Sequence, residues 1–243
     1  MKIAIVGATG LVGREIIRIC EELLPHEATY TLFASSNSAG TKLKVNEKVC
    51  EVKELKEENI ETYDISLFSA GGERSKKFAK SFLNKGSYVV DNSSAFRMEE
   101  EVPLVVYGIN EDKISKETKL ISNPNCTTMG LVMVLKPLHE KYKLEKIVPT
   151  AYQAVSGSGR EAVESLKNEE KLGEELKPNY RDGFYTRPIS RNVIPLAGNL
   201  TENGYSDEEM KFVNESRKIL DIKNLIVEPS NARVGVETGH GVF

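Results

Sequence analysis

The order of elements predicts an α/β chain in two parts. Three observations carry this reading. Short apolar strands alternate with helical segments through the first half, a glycine-rich turn follows the first strand, and the pattern changes after residue 125. Strands alternating with helices imply a parallel, doubly wound sheet. Residues 1–125 are therefore expected to form a Rossmann-like dinucleotide-binding domain, and residues 126–243 a second, α+β domain.

The elements follow in order. Lys2–Val6 is a short apolar strand, and Gly7-Ala8-Thr9-Gly10-Leu11-Val12-Gly13 comes directly after it. Residues 14–24 have helical periodicity, with Leu11, Ile16, Ile17 and Leu23 available for one face. Strands are expected at 30–34, 49–52, 65–69, 88–91, 104–106 and 120–122, and a helix at 75–83. Beyond the boundary, residues 127–142 predict a helix with a kink at Pro137. A strand at 147–153 leads into the loop Ser156-Gly157-Ser158-Gly159. A helix at 160–176 precedes an irregular stretch, 178–203. A helix at 207–220 is expected to be capped by Ser206, with Glu209 completing a capping box. Strands at 225–227 and 232–236 close the chain.

Bulk properties exclude several classes. The 243 residues are 40% hydrophobic and 28% charged, with a formal net charge of −3. There is no basic patch of nucleic-acid type, and mixed-sign stretches such as residues 42–58 read as solvated surface. No apolar run is long enough to span a bilayer. Strand-like residues begin at Lys2, so no signal peptide is expected. Three cysteines without scaffold spacing fit a reducing compartment, and the cytoplasm is the expected location. No His/Cys/Asp cluster has metal-ligand spacing, so no metal is expected.

Two features carry chemistry. Cys126 sits in Asn123-Pro124-Asn125-Cys126-Thr127-Thr128, directly before a helix. Unpaired N–H groups and the helix dipole favour a thiolate there. The same N–H groups could hold an oxyanion on an attacked carbonyl. The competing reading is a buried structural cysteine, the commoner fate of a lone thiol. Upstream, three glycines between a strand and a helix make a phosphate-binding turn. Their spacing is GxxGxxG rather than GxGxxG. After the second strand stand Ser35, Ser36, Asn37 and Ser38 instead of the carboxylate that would accept the ribose 2′-hydroxyl of NAD. Hydroxyls can donate to a 2′-phosphate, which favours NADP, but no arginine closes the site. A cofactor site followed by a primed cysteine points to an aldehyde-oxidising or acyl-reducing enzyme.

Seven separate motifs along the chain make the resemblance specific. They are Val6-Gly7-Ala8-Thr9-Gly10, Ser38-Ala39-Gly40, Phe68-Ser69-Ala70-Gly71, Asp91-Asn92-Ser93-Ser94-Ala95-Phe96-Arg97, Pro124-Asn125-Cys126-Thr127-Thr128, Tyr152-Gln153-Ala154-Val155-Ser156-Gly157 and Glu208-Glu209-Met210-Lys211. Together they resemble the aspartate-semialdehyde dehydrogenases. The resemblance implies Cys126 as nucleophile, His240 as acid–base group and Gln153 positioning the substrate. Arg97 and Lys211 would bind inorganic phosphate, Glu209 the substrate amine, and Arg233 the α-carboxylate. Asn125 joins the substrate-binding set. It implies cofactor contacts at Gly7, Thr9, Gly10, Leu11, Val12, Ser35, Ser36, Ser38, Thr41, Ser69, Ala70, Gly71, Ser156 and Gly157. It further implies NADP, with NAD the alternative, and a homodimer built through the second, catalytic domain.

The implied reaction is reversible, phosphate-dependent oxidation of L-aspartate 4-semialdehyde to 4-aspartyl phosphate through a cysteine thioester, in lysine, threonine, methionine and isoleucine biosynthesis. Three departures stand out. The family often carries arginine where Asn37 stands. It usually continues from its histidine into Ser-Glu, whereas this chain reads His240-Gly241-Val242-Phe243. Members are also longer, so the closing strands and C-terminal helix of the second domain are expected to be missing. The alternatives are an N-acetyl-γ-glutamyl-phosphate reductase, which shares the thioester chemistry, and a non-catalytic shortened homologue.

Overall fold

The computed structural model describes residues 1–243. The chain divides into two compact units, Met1–Pro124 and Asn125–Phe243.

The first unit contains β1 (Lys2–Val6), α1 (Leu11–Leu23), β2 (Thr29–Ala34), β3 (Lys42–Val45), β4 (Lys48–Glu51), β5 (Lys53–Glu54), β6 (Ile65–Phe68), α2 (Gly72–Asn84), β7 (Tyr88–Asp91) and β8 (Leu120–Ser122). Six strands form one sheet in the order β5-β2-β1-β6-β7-β8, every pair parallel. The chain starts at β1 in the middle, winds outward to β5, then returns across β1 to β6. That reversal puts a crevice at the carboxyl ends of β1 and its neighbours, where open α/β sheets bind ligands. Both faces of β1 are buried, as a parallel sheet requires. Ile3 and Ile5 pack with Leu32 and Val45 on one side, and Ala4 and Val6 with Phe33 and Phe68 on the other. Phe82 of α2 meets Phe33, Tyr63 and Phe68 there at centroid distances of 5.8, 5.8 and 5.1 Å.

Two strand expectations change in this unit. The strand expected at 49–52 is one arm of a hairpin whose other arm, β3, is not among the expected strands, although Lys42-Leu43-Lys44-Val45 alternates polar and apolar. Asn46 and Glu47 make its turn, both with positive φ, as a two-residue hairpin loop demands. Residues 104–106 make only an isolated bridge, Leu104 to Ser122. The Asn110 side chain bonds the edge of this segment that faces away from β8. Its Oδ1 accepts from Val106 N–H at 2.8 Å and its amide donates to Leu104 C=O at 2.9 Å.

The second unit contains α3 (Cys126–Tyr142), β9 (Lys146–Ile147), β10 (Thr150–Gln153), α4 (Arg160–Leu172), β11 (Val193–Ile194), α5 (Asp207–Leu220), β12 (Ile226–Val227), β13 (Ser230–Val234) and β14 (Gly241–Val242). Its main sheet runs β11-β13-β10-β14, with β10 and β13 parallel and the outer strands antiparallel, while β9 and β12 pair separately. The strand expected at 147–153 is split because Pro149, which has no N–H, interrupts it. Helix α3 continues through Pro137. Helix α4 ends at Leu172, where Gly173 takes a positive φ, and one 3₁₀ turn follows. The buried Glu169 carboxylate accepts from Ile189 N–H at 2.6 Å and Ser190 N–H at 2.9 Å, which pins the irregular stretch to α4. Helix α5 begins with the expected capping box of Ser206 and Glu209. No helix is long and apolar enough to cross a membrane.

The turn after β1 shows what its outer glycines do. Gly7 has φ +94°, and a Cβ there would lie 2.3 Å from Ser69 C=O. A Cβ on Gly13 would lie 2.1 Å from Gly7 C=O, a backbone atom that cannot swing away. Gly13→Ala is therefore expected to destabilise the chain by about 1–3 kcal/mol through overpacking, outweighing a helix-propensity gain of up to about 1 kcal/mol. A urea unfolding midpoint at or above that of the parent chain would contradict this.

Candidate active site

In the first unit the nucleotide turn is set by backbone bonds. Gly7 and Ala8 N–H both donate to Phe33 C=O, and Gly10 N–H donates to Gly7 C=O at 3.0 Å. Gly10 is the N-cap of α1, and no side chain caps that helix. The N–H groups of Leu11 and Val12 thus stand at an uncapped helix start, an arrangement that suits a phosphate. Ser69, Ala70 and Gly71 follow β6 across the crevice, with Ser69 N–H bonded to Val6 C=O at 2.7 Å. Ser35, Ser36 and Ser38 form a 3₁₀ turn after β2, and Thr41 leads into β3. These groups fit a dinucleotide: α1 starts without a side-chain cap, and hydroxyls stand where the ribose is read.

Arg97 belongs to the same unit and is not a surface arginine. It is only 7% exposed, and its Nε donates to Asn123 C=O at 2.9 Å and its Nη2 to Asn92 C=O at 3.0 Å. The loop that carries it hangs from the buried Asp91, whose oxygens accept from Ser75 and Ser93 hydroxyls, both at 2.6 Å.

In the second unit Cys126 is the first residue of α3 and is exposed. Burial pushes the other two thiols, Cys20 and Cys50, up from their ordinary pKa, which disfavours their reactive form. Asn125 fixes the start of α3 with three groups. Its N–H donates to the buried Glu215 at 2.7 Å, its Oδ1 accepts from Thr127 N–H at 3.1 Å, and its amide donates to Glu208 at 3.0 Å. Glu208 also pairs with Lys211.

Gln153 on β10 and Arg233 on β13 are register partners. They are 2% and 4% exposed, and each leaves a buried donor without a partner, Nε2 of Gln153 and Nε of Arg233. Arg233 Nη1 donates to Ala154 C=O at 2.7 Å. Ala154 N–H donates to Nδ1 of His240 at 3.0 Å. A neutral His240 ring therefore carries its proton on Nε2. Burial lowers the His240 pKa, the Arg233 charge lowers it further, and Glu208 partly opposes both. Ser156 and Gly157, expected among the cofactor contacts, belong to this unit. A Cβ on Gly157 would lie 3.1 Å from both Arg233 Nη1 and His240 Cε1.

One expectation needs correction. Both carboxylate oxygens of Glu209 are occupied, one by Ser206 N–H at 2.7 Å and the other by Asn231 N–H at 2.9 Å. Glu209 is a capping residue. Glu208, one position earlier, faces Asn125 and lies close enough to His240 to shift it. The signal was available in the sequence, because Glu208 and Lys211 are spaced i, i+3 and share a helix face.

Comparison with known proteins agrees with this geometry. The family model of the semialdehyde dehydrogenase NAD binding domain matches residues 2–117, and that of the semialdehyde dehydrogenase dimerisation domain matches residues 135–242. The aspartate-semialdehyde dehydrogenase of Corynebacterium glutamicum is 44% identical over 98% of this chain and 74% of its own length. This chain is a member of the aspartate-semialdehyde dehydrogenase family. Among solved structures of the family, aspartate semialdehyde dehydrogenase II of Vibrio cholerae, complexed with ASA, matches 99% of this chain and 72% of its own with a TM-score of 0.92 at 33% identity. The Candida albicans enzyme with NADP matches 99% and 69% with a TM-score of 0.70 at 26% identity.

Two outcomes follow for this family member. The His240 Cε1 proton resonance is expected to titrate below the ordinary imidazole value, so the ring is neutral at neutral pH. Because the folded pKa is the lower one, the associated stability is present above the unfolded pKa and is lost as pH falls through the window between the two. An NMR midpoint at or above the ordinary value would contradict this. Glu209→Ala is expected to cost about 1 kcal/mol of stability through the lost cap, whereas Glu208→Ala is expected to raise substrate KM. Thermal unfolding and steady-state kinetics on the two variants separate these roles.

Proposed function

We propose that this chain is an aspartate-semialdehyde dehydrogenase that interconverts L-aspartate 4-semialdehyde and 4-aspartyl phosphate, using NADP and inorganic phosphate. The observation that carries the reading is the exposed Cys126 at the first position of α3, tied through Asn125 and Glu208 to a unit that also holds His240, Arg233 and Gln153. The relative's name and the two solved complexes support the substrate and the cofactor.

The chemistry follows from these side chains. The Cys126 thiolate adds to the aldehyde carbon and forms a hemithioacetal. Bound on the first unit, a nicotinamide dinucleotide supplies the hydride acceptor. As the carbon loses its hydride and the hydroxyl its proton, a thioester to Cys126 results. Inorganic phosphate then attacks the thioester carbonyl, the C–S bond breaks, and the thiolate is released with 4-aspartyl phosphate. Arg233 binds the α-carboxylate and Glu208 the ammonium group of the substrate, each through charge-assisted hydrogen bonds. Gln153 lends its unpartnered amide to the substrate. Arg97 and Lys211 take the phosphate. His240 is the proton-handling group. While Ala154 N–H holds Nδ1, the ring offers Nε2–H to the substrate oxygen. It accepts a proton at Nε2 only after its own proton moves to Nδ1, which breaks that contact.

A homodimer through the second unit is the proposed assembly, supported by the dimerisation-domain match and by exposed Met133, Val134 and Leu138 on α3. The cytoplasm is the proposed compartment, consistent with three free thiols.

The test is reduction of NADP by the chain with L-aspartate 4-semialdehyde, with and without phosphate. Turnover is expected to require phosphate and to fall by at least about a thousandfold in Cys126→Ala. Phosphate-dependent turnover that survives in Cys126→Ala would refute the thioester mechanism.

A further inference from the structure

The loop after β2 provides no cation for a 2′-phosphate, because Asn37 is exposed and uncharged. Helix α2 provides two. A cavity of about 310 Å³ is lined by Ser35 and Ser36 from that loop, by Arg74 and Lys77 from α2, and by Glu54 and Glu73. Arg74 and Lys77 are spaced i, i+3, so they share one face of the helix.

The groups lining this cavity are poorly matched to one another, which is what a ligand site needs. The Ser35 hydroxyl caps nothing, and Ser36 makes no side-chain hydrogen bond. Arg74 Nη1 donates only to Ala70 C=O at 3.3 Å, and Lys77 rests 5.1 Å above the Phe78 ring. Neither pairs with a carboxylate. Of the two carboxylates, Glu54 is ion-paired with Lys56 at 2.8 Å. Glu73 lies in the first turn of α2, where the helix dipole attracts it. Two cations without carboxylate partners therefore stand beside two hydroxyl donors. The site also follows directly on the second strand, where a doubly wound sheet reads the adenosine ribose.

We propose that Arg74 and Lys77, with the hydroxyls of Ser35 and Ser36, form the subsite for the 2′-phosphate of NADP. The preference for NADP over NAD is then set from α2 rather than from the loop after β2. This rests on the reading of the first unit as a nicotinamide dinucleotide site. A guanidinium and an ammonium on one phosphate make charge-assisted bonds that the 2′-hydroxyl of NAD cannot match.

The experiment is calorimetric binding of NADP, NAD and adenosine 2′-monophosphate to the full chain, to Arg74→Ala/Lys77→Ala and to Arg74→Lys. The parent chain is expected to bind NADP on the order of tenfold or more tighter than NAD, with the gap narrowing as salt rises. The double variant is expected to lose most of that ratio and its affinity for adenosine 2′-monophosphate, and Arg74→Lys to keep part of both. Both residues are exposed on a helix where alanine is well tolerated, and circular dichroism checks the fold. NAD binding as tight as NADP, or an unchanged ratio in the double variant, overturns the subsite alone. A folded chain that binds neither dinucleotide overturns the cofactor reading and the subsite with it.

Discussion

The second unit depends on how Asn125 is held. Its backbone N–H reaches the buried Glu215 carboxylate, its Oδ1 caps α3 through Thr127, and its amide engages Glu208. One residue thereby joins the start of α3 to two positions of α5. Cys126, next in the chain, inherits that fixed position. A buried carboxylate is costly unless its oxygens are well bonded, and Glu215 is 2% exposed. Losing the Asn125 bond would therefore strain α5 as well as release the cysteine. The reactive thiol is exposed, yet the group that aims it is buried.

The unit also carries groups it does not satisfy. Gln153 Nε2 and Arg233 Nε are buried donors with no protein partner, and leaving such groups unpaired costs about 1–3 kcal/mol each. They lie on adjacent strands in register with each other, and Asn231, two residues before Arg233, adds an unpartnered side-chain amide. A fold selected only for stability would have filled these positions with apolar side chains. Unpaired donors beside the His240–Ala154–Arg233 contacts are what a site built for an anionic, carbonyl-bearing ligand requires, since such a ligand completes the bonds that the protein leaves open.

Much of this architecture is legible in the sequence where one local rule dominates. β1, its glycine turn and α1 follow from apolar patterning and backbone sterics. The Ser206 cap follows from residue type and spacing alone. Legibility fails where residues outside the local pattern decide. Leu104 to Val106 looks like a strand, but its bridge to Ser122 cannot lengthen, because Pro103 and Pro124 have no N–H to give the next bond on either side. The β3–β4 hairpin turns at Asn46-Glu47, which lacks the glycine that marks such turns. Glu208 and Glu209 are adjacent and chemically identical. Only the direction each takes from α5 separates a carboxylate that caps a helix from one that faces Asn125.

The same division of labour explains the cofactor unit. Contacts to a pyrophosphate come from backbone N–H groups, so they need only a turn of fixed geometry, and glycine spacing encodes that turn. Discrimination at the ribose needs charge at one point in space, and charge can arrive from any element that passes nearby. In this chain the loop after β2 contributes hydroxyls while α2, some forty residues later in sequence, contributes the cations. Reading the second strand's end alone therefore leaves the cofactor choice open. The sheet order that lays β6 beside β1 brings the start of α2 to the same cavity, and the missing positive charge at Asn37 is offset by residues that no local motif would single out.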